Sequence, residues 1–300
     1  MTSTAPHPAS QGATLGVALV LGGLLCQEIG ASFAVLLFPV VDPVGMVALR
    51  LVFAALLLLI VARPALGGYS RADWITVGGF GLILAAMNVL FYLALERLPL
   101  GAAVTIEVLG PLVLSVIVSR RASSWLWAVL AVAGVGLLGW GGVDELDPIG
   151  VLFAAGAGSC WMAYILLSAR TGARFPKLDG LAIAMTIGAL VTLPFGIATA
   201  GAVLFEPGIL ALGAAVAVLS SAIPYALELF ALRRLAASAF SILMSLAPAT
   251  AAVVGVIVLH QHLTVLAWVA IGLVILASVG AVRSAATRSR RLTGLGEPVA

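Results

Sequence analysis

The sequence predicts an all-α membrane protein: ten transmembrane helices in two inverted five-helix repeats around a central cavity. Three observations carry this expectation. The chain of 300 residues is 63% hydrophobic and 9% charged, with a mean hydropathy of +1.22, where soluble domains carry about 25% charged residues. Its apolar runs have the ~20-residue length that a helix needs to cross the hydrocarbon. A stretch of the first half also aligns with a stretch of the second at one constant offset.

Taken in order, the expected spans are 14–37, 43–62, 74–95, 99–119, 124–141, 148–169, 180–200, 208–231, 236–259 and 263–282. Before the first, "MTSTAPHPASQG" lacks the cations of a secretory leader, and the run that follows is too long for one, so it reads as a retained helix. Cys26 and Cys160 both fall inside apolar runs and read as small packing residues. His7, His260 and His262 have no neighbouring Cys or Asp, which argues against a metal site, and no cofactor motif is present. "GGFG" at Gly78–Gly81 mimics a glycine-rich motif but lies inside a span with no strand before it.

Loop charge sets orientation, because Lys and Arg stay on the cytoplasmic side. With the N-terminus inside, Arg63, Arg71, Arg120, Arg121, Arg170, Arg174, Lys177, Arg233, Arg234, Arg283, Arg288, Arg290 and Arg291 are all cytoplasmic. Arg97 is the one cation of the outer loops, which hold Asp42, Glu96, Asp144, Glu145, Asp147 and Glu206 instead. Both termini are therefore expected in the cytoplasm. The net charge of +3 is a topology signal and does not point to nucleic acid. The segments 1–13 and 283–300 read as cytoplasmic tails, the second a solvated end with anionic lipid as a weaker partner.

"YLALERLPLGAAVTIEVLGP" (Tyr92 to Pro111) aligns without gaps with "LFALRRLAASAFSILMSLAP" (Leu229 to Pro248), and "FP" at Phe38–Pro39 has the same offset to Phe175–Pro176. This divides the chain into repeats at 14–141 and 148–282. Five spans per repeat is odd, so the halves must be inverted, an arrangement of secondary transporters that places a substrate site near the midplane. Pro inside a helix removes a hydrogen bond and clashes with the carbonyl four residues earlier. Pro111 thus frees the carbonyl of Glu107 and Pro248 that of Met244. Matched interrupted helices favour a hinge or cavity wall over plain kinks, and Pro224 adds a third break in "SSAIPYALE".

Glu28, Arg50, Glu107 and Glu228 are the ionisable residues inside the spans, and Asn88 is the notable amide. At ~1.5 Å of rise per residue, counting from the outer end puts Glu28 at ~13 Å, Arg50 and Asn88 at ~10 Å each, and Glu107 at ~12 Å. Four helices thus bring polar groups to one layer. Arg50 either locks the first half as an ion-pair partner of Glu107 or Glu28, or binds a ligand. One cation cannot neutralise two carboxylates, so a spare one is protonated, solvated or reserved for a cationic group. Glu228 sits nearer the cytoplasmic end, where a salt bridge with Arg233 or Arg234 is expected. The second half is more aromatic, with Trp161, Tyr164, Tyr225 and Phe240. Charge on one wall and aromatics on the other suit a small zwitterion with a variable side chain.

"GASFAVLLFP", "ALRL", "MNVLFYLALERLPLGAAVTIEVLGPL", "SRR", "SCWMAYIL" and "LSSAIPYALELFALRRL" together resemble the drug/metabolite transporter superfamily, in its ten-helix branch with two EamA repeats. Within it the chain is similar to amino-acid exporters of the threonine/homoserine and the aromatic amino-acid types. The resemblance covers nearly all of the chain outside the tails and is most specific from Met87 to Pro111. It implies a multi-pass protein of the bacterial inner membrane that exports amino acids by alternating access. Two positions depart from the pattern: Ala247 stands where an acidic residue is usual before the second-half Pro, and "LHQHL" (Leu259 to Leu263) replaces the usual "GE".

The leading expectation is an exporter of broad specificity for small neutral amino acids, with aromatic ones as further candidates and protons as a candidate coupling species. Substrate-binding candidates are Glu28, Arg50, Asn88, Glu107 and Tyr225. Cavity or hinge candidates are Pro111, Pro248, Pro224, Trp161 and Tyr164. The alternative is an exporter of another small metabolite or drug, such as a nucleoside or sugar. A remote one is an intramembrane enzyme with Glu28 and Glu107 as acid and base. The chain offers it no Ser or Cys paired with His, no metal triad and no phosphate-cradling loop, so no enzyme is expected.

Overall fold

The computed structural model describes residues 8–119, 122–142, 146–232, 234–235 and 237–294. Within them the regular elements are helices: α1 (Pro8–Val41), α2 (Pro43–Ala62), α3 (Arg71–Leu95), α4 (Leu100–Glu107), α5 (Leu109–Ser119), α6 (Ala122–Leu137), α7 (Pro148–Gly172), α8 (Asp179–Ala200), α9 (Pro207–Ala217), α10 (Ile223–Leu232), α11 (Ala237–Met244), α12 (Ala247–Val258) and α13 (Val265–Gly294). One-turn π segments at Leu138–Gly142 and Val218–Ala222 extend α6 and join α9 to α10. A 3-10 turn, Gly201–Phe205, follows α8.

Short polar signals place the helix starts. The Asp42 carboxylate accepts from the N–H groups of Val44 (2.8 Å) and Gly45 (3.1 Å), with Pro43 in the first turn; this satisfies donors that the helix leaves open. Ser70 and Asp73 cap α3 reciprocally. Asp147 accepts from Ile149 N–H at 2.8 Å ahead of Pro148 in α7. The chain leaves α2 through Arg63 in the left-handed region, φ 47°.

Among the described residues seven helices are long and apolar enough to cross a membrane, and three shorter apolar segments, Leu100–Leu114, Trp125–Trp140 and Pro207–Ala222, fall where the fourth, fifth and eighth spans were expected. Large apolar side chains such as Ile60, Trp140, Leu152, Phe195 and Val265 face outward. An exposed apolar surface of that kind is an aggregation hazard in water and the normal surface in lipid. The interior is built from small residues, among them Ala34, Ala48, Ala102, Ala103, Ala154, Ala184, Ala251 and Ala252, all essentially inaccessible. Small residues let helices approach closely where apolar burial offers no driving force. The first and last apolar spans run Thr14–Val41 and Val265–Arg283, close to the expected 14–37 and 263–282, but their helices continue past them. Helix α1 begins at Pro8, and α13 continues to Gly294, through much of the segment read as a solvated tail. "SAATRSRRL" contains no Gly or Pro to stop it.

Both matched prolines lie at helix breaks. Regular geometry lapses at Val108, between α4 and α5, three residues before Pro111. It lapses again at Ser245–Leu246, with Pro248 in the first turn of α12. The cause is the one stated above, loss of the proline's own donor and its clash one turn back. The breaks bring α4 against α12. A Cβ placed on Gly101 would lie 2.7 Å from the Ala252 Cα, so glycine is what allows these backbones to touch. The α4 N-terminus has no side-chain cap of its own. Leu100 N–H instead donates to Gln261 Oε1 at 3.0 Å, a cap supplied from beyond the end of α12. Helix α7 crosses the first break just as closely: Gly110 meets the Gly158 carbonyl, and a Cβ on Gly158 would lie 2.6 Å from the Glu107 carbonyl oxygen. The polar cavity is enclosed next to this crossing.

Candidate functional site

A cavity of about 250 Å³ opens between α1, α2, α3, α4, α7 and α10. Glu28, Arg50, Asn88 and Glu107 all line it, as do Trp161 and Tyr164. The counting of depths thus corresponds to one place in three dimensions. Each side chain is delivered by a different helix. Glu28 is buried in mid-α1, at 2% exposure, and its backbone carbonyl accepts from Ser32 Oγ at 2.9 Å. Asn88, on α3, is 7% exposed and donates from Nδ2 to the Leu84 carbonyl at 2.8 Å. That bond holds the amide nitrogen to its own helix and leaves Oδ1 as the free face of the group. Glu107 is the last residue of α4, at the break.

Arg50 is held on two sides. Nη1 donates to Tyr92 Oη at 3.2 Å and Nη2 to the Ser220 carbonyl at 3.5 Å, with Cζ 5.5 Å from the Tyr92 ring centroid. Tyr92 is fully buried on α3, and Ser220 lies in the π segment that precedes α10. A π turn offers carbonyls outside the regular helical ladder, and Arg50 takes one of them. The guanidinium therefore joins three elements and is positioned by neutral groups, while both Glu28 and Glu107 interact with it electrostatically. Direct ion pairs at short range lie on the rims, Arg97–Asp147 at 2.8 Å and Arg174–Asp73 at 2.9 Å. At the first, the Arg97 guanidinium holds the Asp147 carboxyl below the usual aspartate range, with Ile149 N–H assisting.

Some expectations change. Glu228 lines the cavity with the other carboxylates. It was expected in a cytoplasmic salt bridge, but Arg234 donates to the Phe230 carbonyl at 2.9 Å, and Arg233 lies outside the described residues. The π segment resets the rotation of α10, which a count of depth ignores. The Glu107 carbonyl freed by Pro111 packs against Gly158 of α7, so helix packing takes the acceptor that the proline opens. Phe240, read with the aromatic wall, packs on the main core and does not line the cavity, and of the cavity-or-hinge prolines Pro224 is buried against Gly23 of α1 and Pro248 lies at the break before α12, which leaves both the hinge reading. The side chain of Tyr225 lies outside the described residues. Gln27, Ser220, Ser221 and Tyr92 were not singled out as site residues. The signal for Tyr92 was its place one turn after Asn88 on the same helix face.

A second cavity, of about 290 Å³, adjoins the first and lies between α5, α7, α11 and α13. Pro111 lines it, with Leu112, Ile165, Ser241, Ser245 and Ser278. Trp161 and Met244 line both cavities. Among the described residues no group of three or more His, Cys, Asp or Glu side chains is arranged to hold a metal ion.

Comparison with known proteins accounts for this architecture. The EamA-like transporter family model matches residues 148–283. The chain is 40% identical over 268 residues to the threonine/homoserine exporter RhtA of Escherichia coli (strain K12), covering 89% of this chain and 90% of that protein. The protein of the same name from Salmonella typhimurium (strain LT2) gives the same identity and coverage. The uncharacterized transporter YvbV of Bacillus subtilis (strain 168) is 29% identical over 175 residues, 51% of this chain and 53% of that one. A solved crystal structure with 19% identity superposes with a TM-score of 0.60 over 94% of this chain and 99% of that chain, and so shares the fold. These relatives are transporters, not enzymes, and by near full-length identity the chain belongs to the EamA-like transporter family of the drug/metabolite transporter superfamily.

Proposed function

We propose that this protein exports small neutral amino acids of the threonine and homoserine kind across the bacterial inner membrane, by alternating access, with ten spans in two inverted repeats and both termini in the cytoplasm. The observation that carries the reading is 40% identity, over nine-tenths of both chains, to an exporter named for those substrates. The cavity chemistry agrees with it. A zwitterion needs an anion for its ammonium and a donor for its carboxylate. Glu107 and Glu28 are the anions, and Arg50, fixed by Tyr92 and Ser220, is the donor. Asn88 presents its amide oxygen to an ammonium or hydroxyl. Drug-sized ligands occupy roughly 300–1,000 Å³, so about 250 Å³ favours a compact amino acid. Contacts to the groups shared by all amino acids favour breadth over a single substrate. The spare carboxylate is the place for a coupling proton.

Counterflow in proteoliposomes tests the reading. Labelled threonine should exchange against internal threonine, homoserine and other small neutral amino acids, and chemically unchanged. Exchange of nucleosides or sugars, with none of amino acids, would refute it in favour of a different substrate class.

A further inference from the structure

The two cavities share two lining side chains. Trp161, on α7, and Met244, the last residue of α11, line both. The polar cavity is lined by Glu28, Arg50, Glu107 and Glu228, whereas the second holds Ser241, Ser245 and Ser278 among apolar walls. Ser278 Oγ is buried and has no hydrogen-bond partner among the described residues, so a passing polar group meets an available hydroxyl. The second cavity is lined by α5 beyond its break and by α11 before its break, the ends that loop charge places toward the cytoplasm. On the other side the corresponding helices meet: Gly101 of α4 touches Ala252 of α12, and Gln261 caps α4. The polar cavity is thus shut on the α4–α12 side and adjoins open volume on the α5–α11 side.

We propose that Trp161 and Met244 form a neck between a cytoplasmic vestibule and the binding cavity, and that the bulk of Met244 sets the largest amino acid admitted. The substrate part rests on the functional reading above; the neck itself rests on geometry. Met244 suits the role. It is unbranched and conformationally adaptable, and it stands where regular helix geometry stops at Ser245–Leu246, so its position is not fixed by a continuing helical ladder. Trp161 provides the rigid face opposite.

The test combines transport with labelling. Met244→Ala should raise phenylalanine counterflow relative to threonine by ~10-fold or more, and Met244→Trp should slow threonine by a similar factor, the scale on which a pocket discriminates side chains by size. Met244→Leu should behave as wild type. For labelling, Cys26 and Cys160 are replaced by Ser, and a reporter thiol is placed either in the polar cavity (Ala247→Cys) or in the vestibule (Ser278→Cys). In inside-out vesicles Met244→Trp should slow modification of the first by ~10-fold and leave the second unchanged. Equal labelling of the polar-cavity thiol with Met and with Trp at position 244 would overturn the neck. An unchanged ratio of phenylalanine to threonine in Met244→Ala would overturn the size filter. Absence of amino-acid counterflow in the wild type would overturn the functional reading alone, because the labelling rates decide the neck without a substrate.

Discussion

Replacing Gly158 by Ala tests the claim that α7 seats directly on the broken fourth span. The new methyl would lie 2.6 Å from the Glu107 carbonyl oxygen and 3.3 Å from that residue's carbonyl carbon and Cα. All three are backbone atoms, so no side chain can rotate away. Inserting a methyl into a packed interior costs about 1–3 kcal/mol. Ala also gains about 1 kcal/mol over Gly in a helix interior, which would blur the result taken alone. Gly78→Ala, in α3, supplies the correction, because a Cβ there meets nothing within 4 Å. The propensity gain is common to both, so the difference between the two variants isolates the clash at ~1–3 kcal/mol. At about 2–4 °C per kcal/mol for a large domain, Gly158→Ala should melt ~2–12 °C below Gly78→Ala. The assay is the monodisperse fraction of detergent-purified protein after a temperature ramp, at a single scan rate because unfolding of such proteins is rarely reversible. Equal melting of the two variants would refute the close crossing, and with it the account of why the Glu107 carbonyl is taken.

Further outcomes follow from the same geometry. Glu107→Gln should weaken substrate binding by roughly thirty- to several-thousand-fold, from about 2–5 kcal/mol for removing a buried charge partner, while the protein still purifies as a folded species; binding is read by substrate competition in counterflow. Tyr92→Phe removes a neutral anchor of Arg50 and should cost about 1.5–3 kcal/mol, the range for a hydrogen bond to a charged group, detectable as weaker substrate binding with little change in an unrelated thiol-labelling control. Asp147 has a lowered pKa because it accepts from Arg97 and caps α7. Its contribution is therefore complete above the ordinary aspartate value and is lost as pH falls through the lowered one. Protection of the first-turn amides of α7, with exchange rates corrected for their intrinsic pH dependence, should be flat from neutral pH to ~5 and fall only below the ordinary aspartate range near ~3.9.

What could be read without coordinates followed the physics of a single coordinate, distance along the membrane normal. Apolar run length gave the helices, and rise per residue brought Glu28, Arg50, Asn88 and Glu107 to one layer, where the structure places them around one cavity. Pro111 and Pro248 marked the breaks because a missing donor and a steric clash are local properties of the residue. Rotation about each helix was less accessible. Glu228 was assigned to a rim because the π segment at Val218–Ala222 turns α10 after it, and no residue type encodes a π turn. Ser220 became an anchor for Arg50 through its backbone carbonyl, which carries no sequence signal. Gln261 lies in a stretch that stood out only as a departure from a family pattern; its part in capping α4 depends on two segments 161 residues apart.

The π segment also constrains which genetic changes this helix can absorb. Five residues, Val218–Ala222, form the π turn ahead of Pro224 on Gly23 and Glu228 at the cavity. Exchanging one side chain for another there leaves that turn in place. Deleting one residue would restore ordinary α pitch, and because the π turn is what absorbs that residue, the helix beyond it would keep nearly its present direction, with Glu228 still on the cavity wall; what goes is the Ser220 carbonyl outside the regular ladder that receives Arg50. Drift along this segment is therefore open in residue type, and a change in residue number would show first at the Arg50 anchor.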